Sequence, residues 1–127
     1  MTDAAIKYWT PKEAEKTLPL VKQIVKDILE KGHMVKTIAE STGGDISNNS
    51  EAQKYIADIN GFIKELEDIG CNFKDWNFSV GLVDFPGIIY GEEVELCWRS
   101  DEDHILYYHS YDDGYKGRKL IPEELLK

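Results

Sequence analysis

In this chain of 127 residues, the side chains able to do chemistry gather after residue 80. Asp112 and Asp113 follow His109 within one turn of chain, and imidazole with carboxylates makes either an acid–base pair or a ligand set for zinc, iron or manganese. Asp84 interrupts the apolar run Leu82-Val83-Asp84-Phe85 just before a proline. A carboxylate there needs partners, which turn amides, Arg99 or Arg118 could supply; it could also serve as a base. His109, Asp84 and Asp112 are therefore the candidate catalytic residues. Two ligand types in one loop fall short of a coordination sphere, so neither a metal nor a cofactor is expected.

Arg99 is the lone base among nine acids between Asp84 and Asp113. Its guanidinium could clamp a carboxylate or phosphate, but with so many acids nearby an internal ion pair is the first expectation. In Gly114-Tyr115-Lys116-Gly117-Arg118-Lys119, two glycines stand beside three bases. That composition suits a small anion nest of backbone amides. The plainer reading pairs Asp112 and Asp113 with Lys116 and Arg118 while the glycines turn the chain. If a small anion binds, Arg99, Asp113, Gly114, Gly117 and Arg118 are the residues expected to hold it. Neither Ser79 nor Ser110 sits in a nucleophile elbow. Cys71 and Cys97 lack the spacing of a metal knuckle or a CxxC pair and are expected as free thiols.

The net charge of -9 disfavours a broad grip on nucleic acid or an anionic membrane. Residues 71–127 hold 12 acids and 6 bases, so the excess lies mainly in the second half. No apolar run in the first forty residues is long enough for a signal peptide or a membrane span, and a cytoplasmic location is expected.

Two helices and a sheet must position these groups. Thr10-Pro11-Lys12-Glu13 is a capping box with proline at the first helical position. Ala14, Leu18, Val21, Val25, Ile28, Gly32, Val35 and Ala39 then follow at alternating spacings of four and three, a helix-pair seam that Ile24 and Ile38 widen. Pro19 is expected to kink this helix or split off a segment ending near Thr17. After a polar connection, Ser50-Glu51-Ala52-Gln53 reads as a second capping box, and Gly70 closes the second helix. That helix has two adjacent seams, Ala52-Ile56-Ile59-Ile63-Leu66 and Tyr55-Ile59-Phe62-Leu66-Ile69. Such a wide stripe calls for two neighbours: the first helix plus a sheet or another subunit.

Beyond Gly70, aromatic and β-branched residues alternate with turn signals. Phe85-Pro86-Gly87-Ile88 fits a type II turn, Tyr90-Gly91-Glu92-Glu93 a type II′ hairpin and Ser100-Asp101-Glu102-Asp103 a four-residue one. Strands are expected near 79–85, 88–90, 94–99 and 104–109. A regular last turn sets Trp98 opposite Ile105, Leu96 opposite Tyr107 and Val94 opposite His109, placing Arg99 and His109 on opposite faces. Trp76, Phe78, Trp98, Tyr107, Tyr108 and Tyr111 could line a pocket but read more simply as core. The fold class is α+β: one domain with an antiparallel helical hairpin over 8–70 and an antiparallel meander of three to four strands with a C-terminal loop over 71–127.

The segments Gly81-Leu82-Val83-Asp84-Phe85-Pro86, Leu96-Cys97-Trp98-Arg99 and His109 followed by Asp113-Gly114-Tyr115-Lys116-Gly117-Arg118 resemble the signature of domain of unknown function family 2203. The resemblance extends over nearly the whole chain, including the Pro19-Leu20 step of the helical half. Its members carry an aromatic-Trp-His step where this chain has Tyr107-Tyr108-His109, so Tyr108 stands in for the tryptophan. The resemblance implies the fold and no activity.

Two functions follow as expectations. The doubled seam favours a module that self-associates, or binds a partner, through the helical hairpin. The alternative is a small-molecule or metal-dependent enzyme with a site near Asp84, His109 and Arg118. Nucleic-acid binding ranks third, because only Lys116, Arg118 and Lys119 form a compact basic patch.

Overall fold

The computed structural model describes residues 7–74 and 78–127; Trp76 lies outside them. Helix α1 spans Pro11–Ser41 and opens on the expected capping box, with the Thr10 hydroxyl accepting from the Glu13 amide and the Glu13 carboxylate accepting from the Thr10 amide. Pro19 does not split it. The helix runs on through Pro19, which leaves the Glu15 carbonyl without its usual donor. Ala14, Leu18, Val21, Ile24, Val25, Ile28 and Gly32 of the seam are buried, while Val35 and Ala39 near the far end are half-buried.

Helix α2 spans Ser50–Ile69. Its cap is Asn49, whose side chain accepts from the Ala52 amide, and not the expected Ser50 box; Gln53 instead donates to the Ile46 carbonyl. Asparagine is as good an N-cap as serine, and from one residue earlier its side-chain oxygen takes a first-turn amide. Gly70 closes the helix with φ of 114°, and its amide donates back to Leu66 and Glu67. Of the wide stripe, Ala52, Ile59 and Leu66 are buried, whereas Tyr55, Ile56, Phe62, Ile63 and Ile69 are half-covered.

Five strands follow, β1 (Asn72–Phe73), β2 (Leu82–Ile89), β3 (Glu92–Arg99), β4 (Tyr107–His109) and β5 (Lys119–Leu120), in an antiparallel sheet of that order. The short outer strands extend the expected meander of three to four. No turn forms at Pro86-Gly87: β2 continues straight through, with Pro86 opposite Glu95 and Gly87 opposite Val94. The Pro86 carbonyl accepts from the Trp9 amide at 2.7 Å. Since the N–H and C=O of one strand residue point to the same side, the donor that proline lacks faces away from β3 and costs the ladder nothing. The β2–β3 hairpin turns one residue earlier than expected, with Tyr90 at φ 51° and Gly91 at φ 81°. That is a type I′ turn in place of type II′.

The β3–β4 connection overturns the expected register. Glu95 lies opposite His109, Leu96 opposite Tyr108 and Cys97 opposite Tyr107, a slip of one residue that reverses every β4 side chain. Residues 100–106 form a wide loop pinned to α1 in place of a tight turn. Glu15 accepts from the Ile105 amide at 3.0 Å and contacts His104 Nδ1 at 2.9 Å, and Lys22 donates to the Asp103 carbonyl. The Trp98 indole donates to the Glu102 carbonyl.

Phe73, Val83, Phe85, Val94, Leu96 and Trp98 face the helices and join Leu18, Val21, Val25, Ile28 and Leu66 in the core. Each large apolar side chain buried this way contributes about 1.5–3 kcal/mol. No described helix is long and apolar enough to cross a membrane.

Two helical glycines meet opposite surroundings. A Cβ on Gly61 would touch nothing within 4 Å, whereas one on Gly32 would lie 2.6 Å from the Phe78 ring. Gly61→Ala should therefore stabilise the fold by about 0.5–1 kcal/mol, and Gly32→Ala should destabilise it by about 1–3 kcal/mol. Urea denaturation of both variants checks this; shifts of the same sign would contradict the packing.

Candidate functional site

Because side chains alternate along each strand, Leu82, Asp84 and Pro86 of β2, Glu95, Cys97 and Arg99 of β3, and Tyr107 and His109 of β4 share the face turned away from the helices. The slipped register thus puts Arg99 and His109 on the same face, correcting the expectation of opposite ones. Asp84 sits directly opposite Cys97, and His109 directly opposite Glu95. Antiparallel pairing so gathers four groups that are scattered in sequence. Asp84, Cys97 and His109 are 6%, 1% and 4% exposed, with one ligating atom of each lying within 4.8 Å of the others.

His109 Nδ1 lies 2.8 Å from the Ser110 carbonyl, which can only accept, so Nδ1 carries the proton. Nε2 then points at the Asp84 carboxylate and sits 3.3 Å from each of its oxygens. A charge-assisted hydrogen bond would close to about 2.7–2.9 Å on one oxygen. Burial, and then the Asp84 charge, push the pKa of the Cys97 thiol up to about 12. It is therefore not activated as a nucleophile. Burial, and then Asp84, push Glu95 up to about 7, and its Oε2 is buried without a hydrogen-bond partner among the described residues. A cavity of about 340 Å³ lies over these groups, walled by Lys74, Leu82, Tyr111, Gly114 and Tyr115.

The two arginines sit elsewhere. Arg99 bonds Asp101 at 2.6 Å and the Tyr115 hydroxyl, the internal ion pair expected for it. Arg118 stacks on Tyr107 and Tyr115, reaches both Glu102 oxygens at 2.7 and 2.8 Å, and donates to the Cys97 carbonyl. Asp84 thus pairs with His109, not with either arginine, and the partner of Arg118 is Glu102 in place of Asp112 or Asp113. No ion pair of those two acids occurs among the described residues; both are exposed on the loop after β4 and are not among the buried cluster. The amides of Gly114, Gly117 and Arg118 donate to the carbonyls of Ser110, Gly114 and Tyr115, which occupies the donors an anion nest would use. Cys97 and Glu95 were not among the candidate site residues, although the sequence places both, with Arg99, on a strand face that a ligand could touch. Their signal was the alternation along β3, which puts both on the face of Asp84.

These features define an α+β domain with a helical hairpin on one face of an antiparallel sheet and a buried polar cluster on the other. Residues 7–121 match the family model described as uncharacterized conserved protein (DUF2203), and the chain belongs to that family. No curated protein and no solved structure matches it.

Glu95 makes stability depend on pH. Its pKa rises on folding from 4.5 to about 7, so its contribution is complete below that window and is lost as the pH climbs through it. Glu95→Gln removes this loss. In EDTA-treated protein the variant should gain about 1–2 kcal/mol on the parent between about pH 4 and about pH 8, allowing for its partly solvated position. Urea denaturation at both pH values checks it, and a constant difference would contradict it.

Proposed function

We propose that this chain is a small-ligand-binding protein of enzyme type, working through the cavity over Asp84 and His109. One observation carries the reading: a buried acid and a buried imidazole meet on the floor of a cavity of about 340 Å³ walled by the exposed Tyr111 and Tyr115. Burying such groups costs several kcal/mol unless a partner repays it, and a cavity with convergent polar groups is where ligands bind. His109 Nε2 and the Asp84 carboxylate are the groups placed to take a proton from a ligand, and the tyrosines close the walls. With Arg99 and Arg118 already neutralised, the floor is acidic and suits a cationic or neutral ligand better than the anion expected from the basic loop. A larger groove of about 640 Å³ along α1, beside Leu29, Met34 and Trp98, is mostly apolar, and the acid and imidazole that line it, Glu30 and His33, are exposed.

A second reading rests on the half-covered stripe of α2. There Ile56 and Tyr55 are half-buried and stand outside the buried core cluster, a flank suited to a second copy of the chain.

Two measurements test these readings. A fragment library screened by ligand-observed and ¹⁵N-edited NMR should perturb Tyr111, Gly114 and Glu95, and Asp84→Asn should abolish those shifts. Hits confined to α1, or none at all, would contradict the cavity reading. Sedimentation velocity at micromolar concentration should find a dimer that Ile56→Glu dissociates; a monomeric parent would remove the self-association reading.

A further inference from the structure

Three potential ligand atoms converge on the floor of this cavity. Nδ1 of His109 is committed as a donor to Ser110, which leaves Nε2 as the ring atom that faces the Asp84 carboxylate. The Cys97 sulfur converges on the same point, and Glu95 adds a buried oxygen with no hydrogen-bond partner among the described residues. A nucleophilic relay would be linear, with the acid on one imidazole nitrogen and the thiol on the other. Here acid, thiol and imidazole each bring one atom within 4.8 Å of the other two, which is the arrangement of ligands around a centre.

Resting on the reading of the cavity as a ligand site, we propose that Asp84, Cys97 and His109 bind a divalent transition ion of the zinc class. Distances support this. Two ligand atoms about 2.0–2.1 Å from one tetrahedral ion lie about 3.3 Å apart. That is the His109 Nε2 to Asp84 separation, whereas the whole triad, within 4.8 Å, closes by side-chain rotation. The Ser110 carbonyl on Nδ1 is the outer contact that fixes the tautomer of a metal-bound histidine. Imidazole, thiolate and carboxylate together match zinc better than magnesium or calcium, which take oxygen ligands. Charge balances as well: the thiol releases its proton to solvent as its sulfur binds, and thiolate plus carboxylate offset the ion's two charges. Three protein ligands leave a fourth position for water or substrate toward the cavity, with Glu95 on the same face to accept from it.

The test uses the full chain, stripped with EDTA, desalted and titrated with Zn²⁺ by calorimetry. Binding of one ion per chain is expected. The Co²⁺ form should show tetrahedral d–d bands and thiolate-to-cobalt charge transfer. Cys97→Ser, nearly isosteric, should keep the fold by circular dichroism, lose the charge-transfer band and bind Zn²⁺ about 100-fold more weakly or worse. Cys71→Ala should retain the band. Absence of Zn²⁺ binding by the folded parent, Co²⁺ spectra without thiolate, or an unchanged affinity in Cys97→Ser would each overturn the proposal. Fragments that bind the cavity of a chain that takes no Zn²⁺ would sink the ion and leave the cavity reading standing. Zn²⁺ binding without fragment binding would do the reverse.

Discussion

The grip of Glu15 on the segment before β4 is the interaction on which the rest of this molecule turns. One carboxylate on α1 accepts from the Ile105 amide and meets His104, so residues 100–106 are drawn against the helix and Ile105 is buried. The connection is thereby wider than a tight turn, and β4 enters the sheet one residue out of step with it. A slip of one exchanges the two faces of a strand. Tyr108 goes to the core side and His109 to the face of Asp84, Glu95 and Cys97. Without it the imidazole would sit among Val94, Leu96 and Trp98, and the polar cluster would lose His109.

The sequence was most legible where the determining contacts are local. The Thr10-Glu13 box and the Gly70 stop are decided within a turn of helix, and both stand where spacing predicts them. The α1 seam is read correctly because burial follows the helical period, which Pro19 disturbs too little to break. Pro86-Gly87 shows the limit of local rules. The dipeptide is a good turn signal, but the chain stays extended because the missing donor faces Trp9 and not the β3 ladder. Nothing within five residues of Pro86 carries that information.

The site was partly legible. Asp84 and His109 stand out by residue type, and both lie in the buried cluster. Asp112 stood out for its closeness in sequence to His109, yet it lies on the exposed loop; three residues that curve off a strand end need not return to its face. Cys97 was passed over because it has no nearby ligand in sequence, while its neighbours in space come from across the sheet, Asp84 on β2 and Tyr107 on β4. The charge excess in the second half likewise resolved into specific pairs, with Arg99 on Asp101 and Arg118 on Glu102. The buried acid on this face, Asp84, faces His109.

The central claim is that Nε2 of His109 is placed to bind a cation, and the imidazole nitrogens report it directly. Long-range ¹H–¹⁵N correlation spectra of His109 with one equivalent of Zn²⁺ should show Nδ1 still protonated and Nε2 moved to the position of a metal-bound nitrogen. An imidazolium pattern, both nitrogens protonated and indifferent to Zn²⁺, would mean that a proton alone bridges His109 and Asp84, and would contradict the account.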